Sequence, residues 1–528
     1  MKQPRPMTIV PGAGTPTPFG WLDRWWAVLL VCLVAILPLL LVPFPPLVDL
    51  YGHLGRYAVQ TELAQRPELQ PFYSYDWKLI GNLGGDIVVQ ALHPLLGLEA
   101  AVRATVILAQ LLGALGLLLV SREVHGRVTP FAVAAIVLLY GYPFNYGFLN
   151  YTFSMALALL AFAAWLRLRR SGREGAATLW LGLAGAAIWV CHTYGWAFLG
   201  LLTGSAMLAE VTGKRMHPVR AVMRILGACW PLLLPVIPMV VWRAESAGAA
   251  MSGWSLRFKW IWLMSPLRTM REDIDVGSAI AVWAMLAWAL VSRTARYDRG
   301  LALAGVLCVL FFFALPTKVF GSAFADMRLL PYGLAIGLVA IAPLSLGSRV
   351  LQAASVLALA LFAGRMAVTG AAYVEQNRIA EAALPALGHM PRGAKVAFFV
   401  VKPCWVGWSL PVLDHLAGAA LARRSVFVND QWQAPGVNPL RVHYPAAGRF
   451  TRDPSHLVQG ETCGHNARPR LSRALADLPR SAFTHVWIVG AIPADFAAPE
   501  DFIAVSDSGS GRLYRIAPPA SSPVYAPL

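Results

Sequence analysis

Charge is what this sequence has least of. Only 13% of its 528 residues are Asp, Glu, Lys or Arg, about half the share of a soluble domain. That scarcity excludes a cytosolic enzyme, a disordered scaffold and a nucleic-acid binder. Several catalytic signatures are missing too: there is no phosphate-cradling Gly loop, no nucleophile elbow and no HExxH. Internal repeats and lipidation motifs are also absent, and the only low-complexity stretch is the Pro/Gly-rich first twenty residues.

Apolar residues are abundant. They make up 57% of the chain, which has 19 Trp and a mean hydropathy of +0.57. Uncharged runs at 25–48, 104–121, 225–242, 276–292, 300–317 and 329–348 approach the length that crosses a bilayer. The expected fold is therefore an α-helical polytopic membrane protein.

The net charge of +17 does not signal a polyanion partner, because of where the charges sit. They cluster in short loops: Arg122 and Arg127; Arg167, Arg169, Arg170 and Arg173; Lys214, Arg215, Arg220 and Arg224; Arg293, Arg296 and Arg299; Arg349. Basic loops stay cytoplasmic. Two long apolar stretches, 128–166 and 175–209, have basic flanks on both sides and must be hairpins, turning at 141–150 and near His192. The pattern predicts about eleven spans: 25–42, 102–121, 130–142, 149–166, 176–191, 195–210, 225–242, 276–292, 300–315, 329–347 and 350–370. The N-terminus is expected inside and the C-terminus outside, in a bacterial inner membrane. The first span reads as a signal anchor rather than a cleaved signal peptide. Arg365 falls near the outer end of the last span, where a snorkelling side chain is expected.

This divides the chain into a transmembrane domain, 1–370, and an extracytoplasmic domain, 371–528. The external loop 43–101 reads as amphipathic helices on the membrane surface, and 243–275, rich in Trp and basic residues, as a second interfacial segment. In the tail, 373–387 suggests a connecting helix and 411–422 a second helix, with strands at 395–401, 425–428, 485–489 and 512–516. A small α/β domain results. Cys32, Cys191, Cys229 and Cys308 lie in or at the ends of spans as packing residues, whereas Cys404 and Cys463 share the exported tail and are the disulfide candidates. Neither belongs to a CxxC pair, and His465 near Cys463 makes only a lone Cys-x-His.

The segment most suggestive of chemistry follows the first span. Asp49, His53 and Arg56 fall on one helical face. A carboxylate at the membrane rim beside a histidine suits a general base; equally, Asp49 after two prolines suits a helix N-cap. Asp273 and Asp275 form a DxD just before a span, best read as capping that helix. Asp86 and His93 lie later in the first loop, and the sequon at Asn150 is too close to the membrane to be glycosylated.

VDLYGHLGR (48–56) resembles the D-x-x-x-H-L-x-R pattern of a largely uncharacterised bacterial group within the GT-C class of membrane glycosyltransferases. NLGGDIVVQAL (82–92), YPFNYGFLNYTFSMALALLAFAAWLRLR (142–169), ADMRLLPYGL (325–334) and DHLAGAALARRSVFVN (414–429) are similar to the same group. The resemblance implies a GT-C-like fold and an enzyme that takes a sugar from a polyprenyl-phosphate carrier and passes it, with inversion, to an envelope lipid or glycan acceptor. It places Asp49 where the class has its essential acidic residue and makes Asp49 the catalytic base. His53, Arg56, Asp86, Lys318 and Arg328 are then substrate- or phosphate-binding candidates, with His192 lining the same cleft. Arg328 has a plainer reading, as an interfacial anchor or an ion pair with Asp326. No cofactor is implied with certainty. The first loop lacks the paired Asp-Glu or DxD of metal-dependent members, which leaves a divalent metal an open question. The rival classes are a lipid or saccharide transporter and a non-catalytic scaffold; spans nearly free of charge, with polar residues at the outer rim, favour the transferase over the transporter.

Overall fold

The computed structural model describes residues 18–245, 251–319, 322–345, 347–405, 407–433, 436–464 and 468–518. His465 lies outside the described residues. Among the described residues, six helices are long and apolar enough to cross a membrane: Leu98–His125, Leu149–Arg170, Glu174–Cys191, Thr193–Gly213, Glu272–Val291 and Arg349–His389. A further pair, Pro218–Leu233 and Val236–Trp242, is bent by 45° at its break, where Pro235 has no N–H to continue the ladder. Shorter apolar helices, Trp25–Leu40, Pro130–Tyr146, Arg299–Ala314 and Leu329–Val339, overlap the remaining expected spans, but the last stops well short of 347 because Ile341–Pro343 is a strand paired with Ala295–Tyr297.

Most of these helices have no marked polar face, as lipid contact requires, whereas Pro218–Cys229 carries Arg220 and Arg224 on one side. Trp25–Leu40 buries Val28, Val31, Cys32 and Ala35 against its neighbours and exposes Leu29, Leu33 and Leu37. Both predicted hairpins turn where expected. The first passes from Pro130–Tyr146 through Gly147, at φ 102°, into Leu149–Arg170. The second breaks at His192, whose extended backbone (φ −169°, ψ 136°) separates Glu174–Cys191 from Thr193–Gly213.

The C-terminal domain is built on a sheet in the strand order Phe427–Val428, Lys395–Lys402, His485–Gly490, Gly511–Ile516, Phe502–Asp507. Leu457–Gln459 also pairs with Lys395–Lys402. The central strand KVAFFVVK has parallel neighbours and is buried along its length, which explains its unbroken apolar run. One of its edges is shared end to end by two short strands, Phe427–Val428 at Lys395–Val396 and Leu457–Gln459 at Val400–Lys402. At the join, Phe398 N–H donates to the Asn429 side chain at 2.7 Å and Val400 N–H to the His456 carbonyl at 2.9 Å. The chain therefore leaves and re-enters the sheet at one point, which brings Asp430, Asp453 and His456 together.

The structure corrects several expectations. The helix Leu50–Glu62 is not a surface helix: it is clamped under the tail helix Ala417–Arg424, with Gly55 and Gly418 so close that a Cβ on Gly55 would stand 3.1 Å from the Gly418 Cα. A strand pair, Tyr73–Tyr75 with Leu440–Val442, adds to this docking. The connecting helix is no separate element, because Arg349–Ala383 runs unbroken out of the membrane domain. Arg365 does not snorkel. It is buried and paired with Asp275 at 2.8 Å, and it donates to the Leu267 carbonyl at 3.0 Å. Asp275, in the first turn of Glu272–Val291, therefore does not cap that helix; it also accepts from Thr269 N–H, at 2.7 Å, and from the Trp408 indole of the tail, at 2.8 Å. The second tail helix starts late, at Ala417, because 411–416 form turns. Strands at Leu440–Val442, Leu457–Gln459 and Phe502–Asp507 were not anticipated. Cys404 and Cys463 are joined as a disulfide with their Cα atoms 5.0 Å apart.

Candidate functional site

Asp49 follows Pro45-Pro46 and opens the helix Leu50–Glu62. It stands at the N-cap position, yet its side chain makes no capping hydrogen bond. The turn 145–147 fixes its backbone instead: Val48 N–H donates to the Asn145 carbonyl at 3.1 Å and Asp49 N–H to the Tyr146 carbonyl at 2.9 Å. Gly147 completes this clasp. A Cβ there would meet Asp49 N at 2.8 Å and Asp49 Cβ at 2.9 Å.

With the backbone held, the carboxylate turns toward the tail domain. Its Oδ1 lies 3.7 Å from His415 Nε2, and the side chain keeps 15% of its exposure. Burial lifts the Asp49 carboxyl to about 7; Asp453 and Asp414 add to the rise, against the pull of His415 and Arg328. Burial alone would lower His415, but Asp49, Asp453, Asp430 and Asp414 raise it overall.

The residue after Gly147 links Asp49 to Arg328. Phe148 presents its ring to the Arg328 guanidinium, 4.1 Å from centroid to Cζ, with Tyr151 and Tyr194 each at 5.6 Å. The guanidinium donates to the Ala323 carbonyl at 2.9 Å and sits 3.5 Å from His192 Nε2, while its Nε has no partner. Asp326 does not pair with it, contrary to the simplest alternative role for Arg328. Asp326 is taken by Lys259 at 2.6 Å, both fully buried. Among the described residues no carboxylate lies within ion-pair distance of Arg328, a buried arginine.

A cavity of about 640 Å³ begins here. His192, Tyr194 and Leu329 line one end, and Leu201, Leu307 and Phe311 carry it down between Thr193–Gly213 and Arg299–Ala314. Its walls are overwhelmingly apolar, and Gly200 and Gly204 widen it where a side chain would intrude.

The other predicted residues divide. His53 is in the site, its Nε2 3.2 Å from the Gly147 carbonyl and its ring edge-on to Trp432. Arg56 and Asp86 are brought together, but with each other. They form a buried pair at 3.2 Å, and Asp86 also accepts from Tyr75 Oη at 2.6 Å and Asn150 Nδ2 at 3.0 Å. All of Asp86's oxygens are thus engaged inside the protein, so this pair braces the helix Leu50–Glu62 against Gly84–Leu96 rather than facing a ligand. Lys318 is exposed, and its backbone pairs with Ser252.

The sequence reading missed the tail's share of the site. His415 and Asp453 act on Asp49, and Asp430 and His456 gather around His415. The one local signal was the Asp453-x-x-His456 spacing; the rest depends on the sheet's join and on docking of the tail.

No protein-family profile matches the sequence, and no curated protein matches it. Among solved structures the chain is similar to ArnT from Cupriavidus metallidurans bound to undecaprenyl phosphate, at 13% identity and a TM-score of 0.47, covering 94% of this chain and 99% of that one. It is likewise similar to the apo state of the same protein, at 15% identity and a TM-score of 0.46, with the same coverage.

Proposed function

We propose that this protein is a membrane glycosyltransferase of the GT-C class that uses a polyprenyl-phosphate sugar. One observation carries the reading: among the described residues, a buried arginine without a carboxylate partner lies 3.5 Å from His192, which lines one end of an apolar, lipid-sized cavity, and Phe148 connects that arginine to the turn holding a carboxylate that caps nothing. A buried guanidinium needs a counter-anion, and a phosphate on an isoprenoid chain supplies one while its tail fills the cavity. The volume lies in the range of ligand sites.

In this reading the acceptor hydroxyl gives its proton to Asp49 as its oxygen attacks the anomeric carbon. The bond from that carbon to the phosphate oxygen breaks, and the polyprenyl phosphate leaves with its charge held by Arg328. Attack opposite to the leaving group inverts the anomeric centre. Orientation in the membrane, with the tail outside, follows from the basic loops. The acceptor is an envelope lipid or glycan.

The test is transfer in membranes. Radiolabelled sugar on polyprenyl phosphate is added to membranes of a deletion strain with and without the restored protein. The label moves to an envelope product only when the protein is present. If it crosses the membrane still attached to its carrier, the protein is a transporter and the proposal fails.

A further inference from the structure

We infer that the C-terminal domain holds a divalent metal ion, best matched by zinc, between His415, Asp453 and His456, beside Asp49. One ligand atom from each of the three residues lies within 4.8 Å of the others. They come from two turns that the join in the sheet brings together, one before Ala417–Arg424 and one before Leu457–Gln459.

The imidazoles are arranged as ligands. His415 Nδ1 is 3.1 Å from the Asp430 carbonyl. A carbonyl only accepts, so Nδ1 carries a hydrogen, which leaves Nε2 as the nitrogen that can bind a metal. Metal-bound histidines are oriented in this way by a carbonyl on the far nitrogen. His456 is 0% exposed, and apart from a loose contact with the Asp414 backbone its ring nitrogens have no hydrogen-bond partner. A buried polar group without a partner is costly and rare. Its Nδ1 lies 3.9 Å from Asp453 Oδ1, only modestly longer than the spacing between neighbouring ligands of one tetrahedral ion.

The charge balance points the same way. Asp49, Asp430 and Asp453 crowd the site, and Lys402 already serves Asp414. A divalent ion on two neutral imidazoles and one carboxylate adds a net positive charge where carboxylates are in excess. Two nitrogens and an oxygen suit zinc rather than magnesium or calcium, which prefer oxygen alone. Three protein ligands with a free position are the arrangement of zinc sites that act on a bound molecule. Asp49 borders the cluster, its Oδ1 3.7 Å from His415 Nε2. This goes beyond the transferase reading and does not depend on it, since binding is measured without turnover.

The full-length protein, purified in detergent and stripped with a chelator, is titrated with zinc chloride alone, and bound metal is counted after desalting. About one zinc per chain is expected. Cobalt in its place gives the intense visible bands of a tetrahedral ion, a readout that needs no variant. His456→Ala and Asp453→Ala each bind zinc at least about tenfold more weakly, whereas His443→Ala, outside the cluster, binds as the native protein does. Native protein that takes up no zinc and gives no tetrahedral cobalt spectrum overturns the inference, as do His456 and Asp453 variants that bind as tightly as the native chain.

Discussion

His415, carried by the C-terminal domain, reaches to 3.7 Å from Asp49, which follows the first membrane helix by fewer than ten residues. The contact joins parts of the chain that the sequence keeps far apart, and it makes the tail a wall of the site. Arg268 reinforces the arrangement from the membrane side, donating to the Trp408 carbonyl at 2.7 Å and the Gly407 carbonyl at 2.6 Å. A protein cut before the tail is therefore expected to lose the site along with the domain.

The Asp49 clasp is tested at Gly147. Its φ of 102° and its contact with Asp49 leave no room for a methyl group. Gly147→Ala should cost about 1–3 kcal/mol from the backbone conformation alone and should push Asp49 from its place. Thermal unfolding and transfer rate would both fall, the rate by more than the stability loss explains. A variant with native transfer would show that the clasp does not position Asp49.

Arg328 is tested by a change that keeps its charge. Arg328→Lys retains a cation but loses the planar fork and the stacking on Phe148. We expect normal protein levels, with polyprenyl-phosphate binding weakened by at least about tenfold, since one charge-assisted hydrogen bond is worth about 1.5–3 kcal/mol. Equal binding by both proteins would reduce Arg328 to an anchor.

The buried pair of Arg365 and Asp275 is a matter of stability. Removing one partner leaves the other charge stranded, so Asp275→Ala should destabilise by about 3–5 kcal/mol. Adding Arg365→Met should restore part of that loss, although Thr269 and Trp408 still lose an acceptor. A double variant no more stable than the single one would contradict the pairing.

The disulfide closes a loop with a sequence separation of 59, worth roughly 4 kcal/mol on the chain-entropy view. Thiol counting on unfolded, non-reduced protein should find Cys404 and Cys463 unreactive and the four membrane-domain cysteines reactive. Six reactive thiols would contradict the bond.

How much of this was legible in the sequence depended on range. Helix positions were, because lipid contact imposes long apolar runs; the central strand at 395 was, because burial on both faces does the same. Asp49 stood out through its place after Pro46 and before a helical His and Arg. The partners of Arg56, Asp275, Asp326 and Arg365 did not, since each meets its counter-charge across at least 30 residues of chain. Arg365 looked like a snorkelling residue because nothing local announces Asp275. The short strand Phe427–Val428 falls within the strand expected at 425–428, but Leu457–Gln459 is set by register against Lys395–Lys402 rather than by its own pattern. The cluster at their join was invisible because it needs both strands.

The central claim is that Asp49 takes the acceptor's proton, and Asp49→Asn tests it most directly. Asparagine has the same shape and caps a helix equally well, so a structural role would survive the change. Transfer from polyprenyl-phosphate sugar is measured in membranes with matched amounts of native and variant protein. The account predicts normal accumulation and a rate lower by roughly 10²–10⁴-fold, the loss that follows removal of a general base. A variant that transfers sugar at the native rate would contradict it.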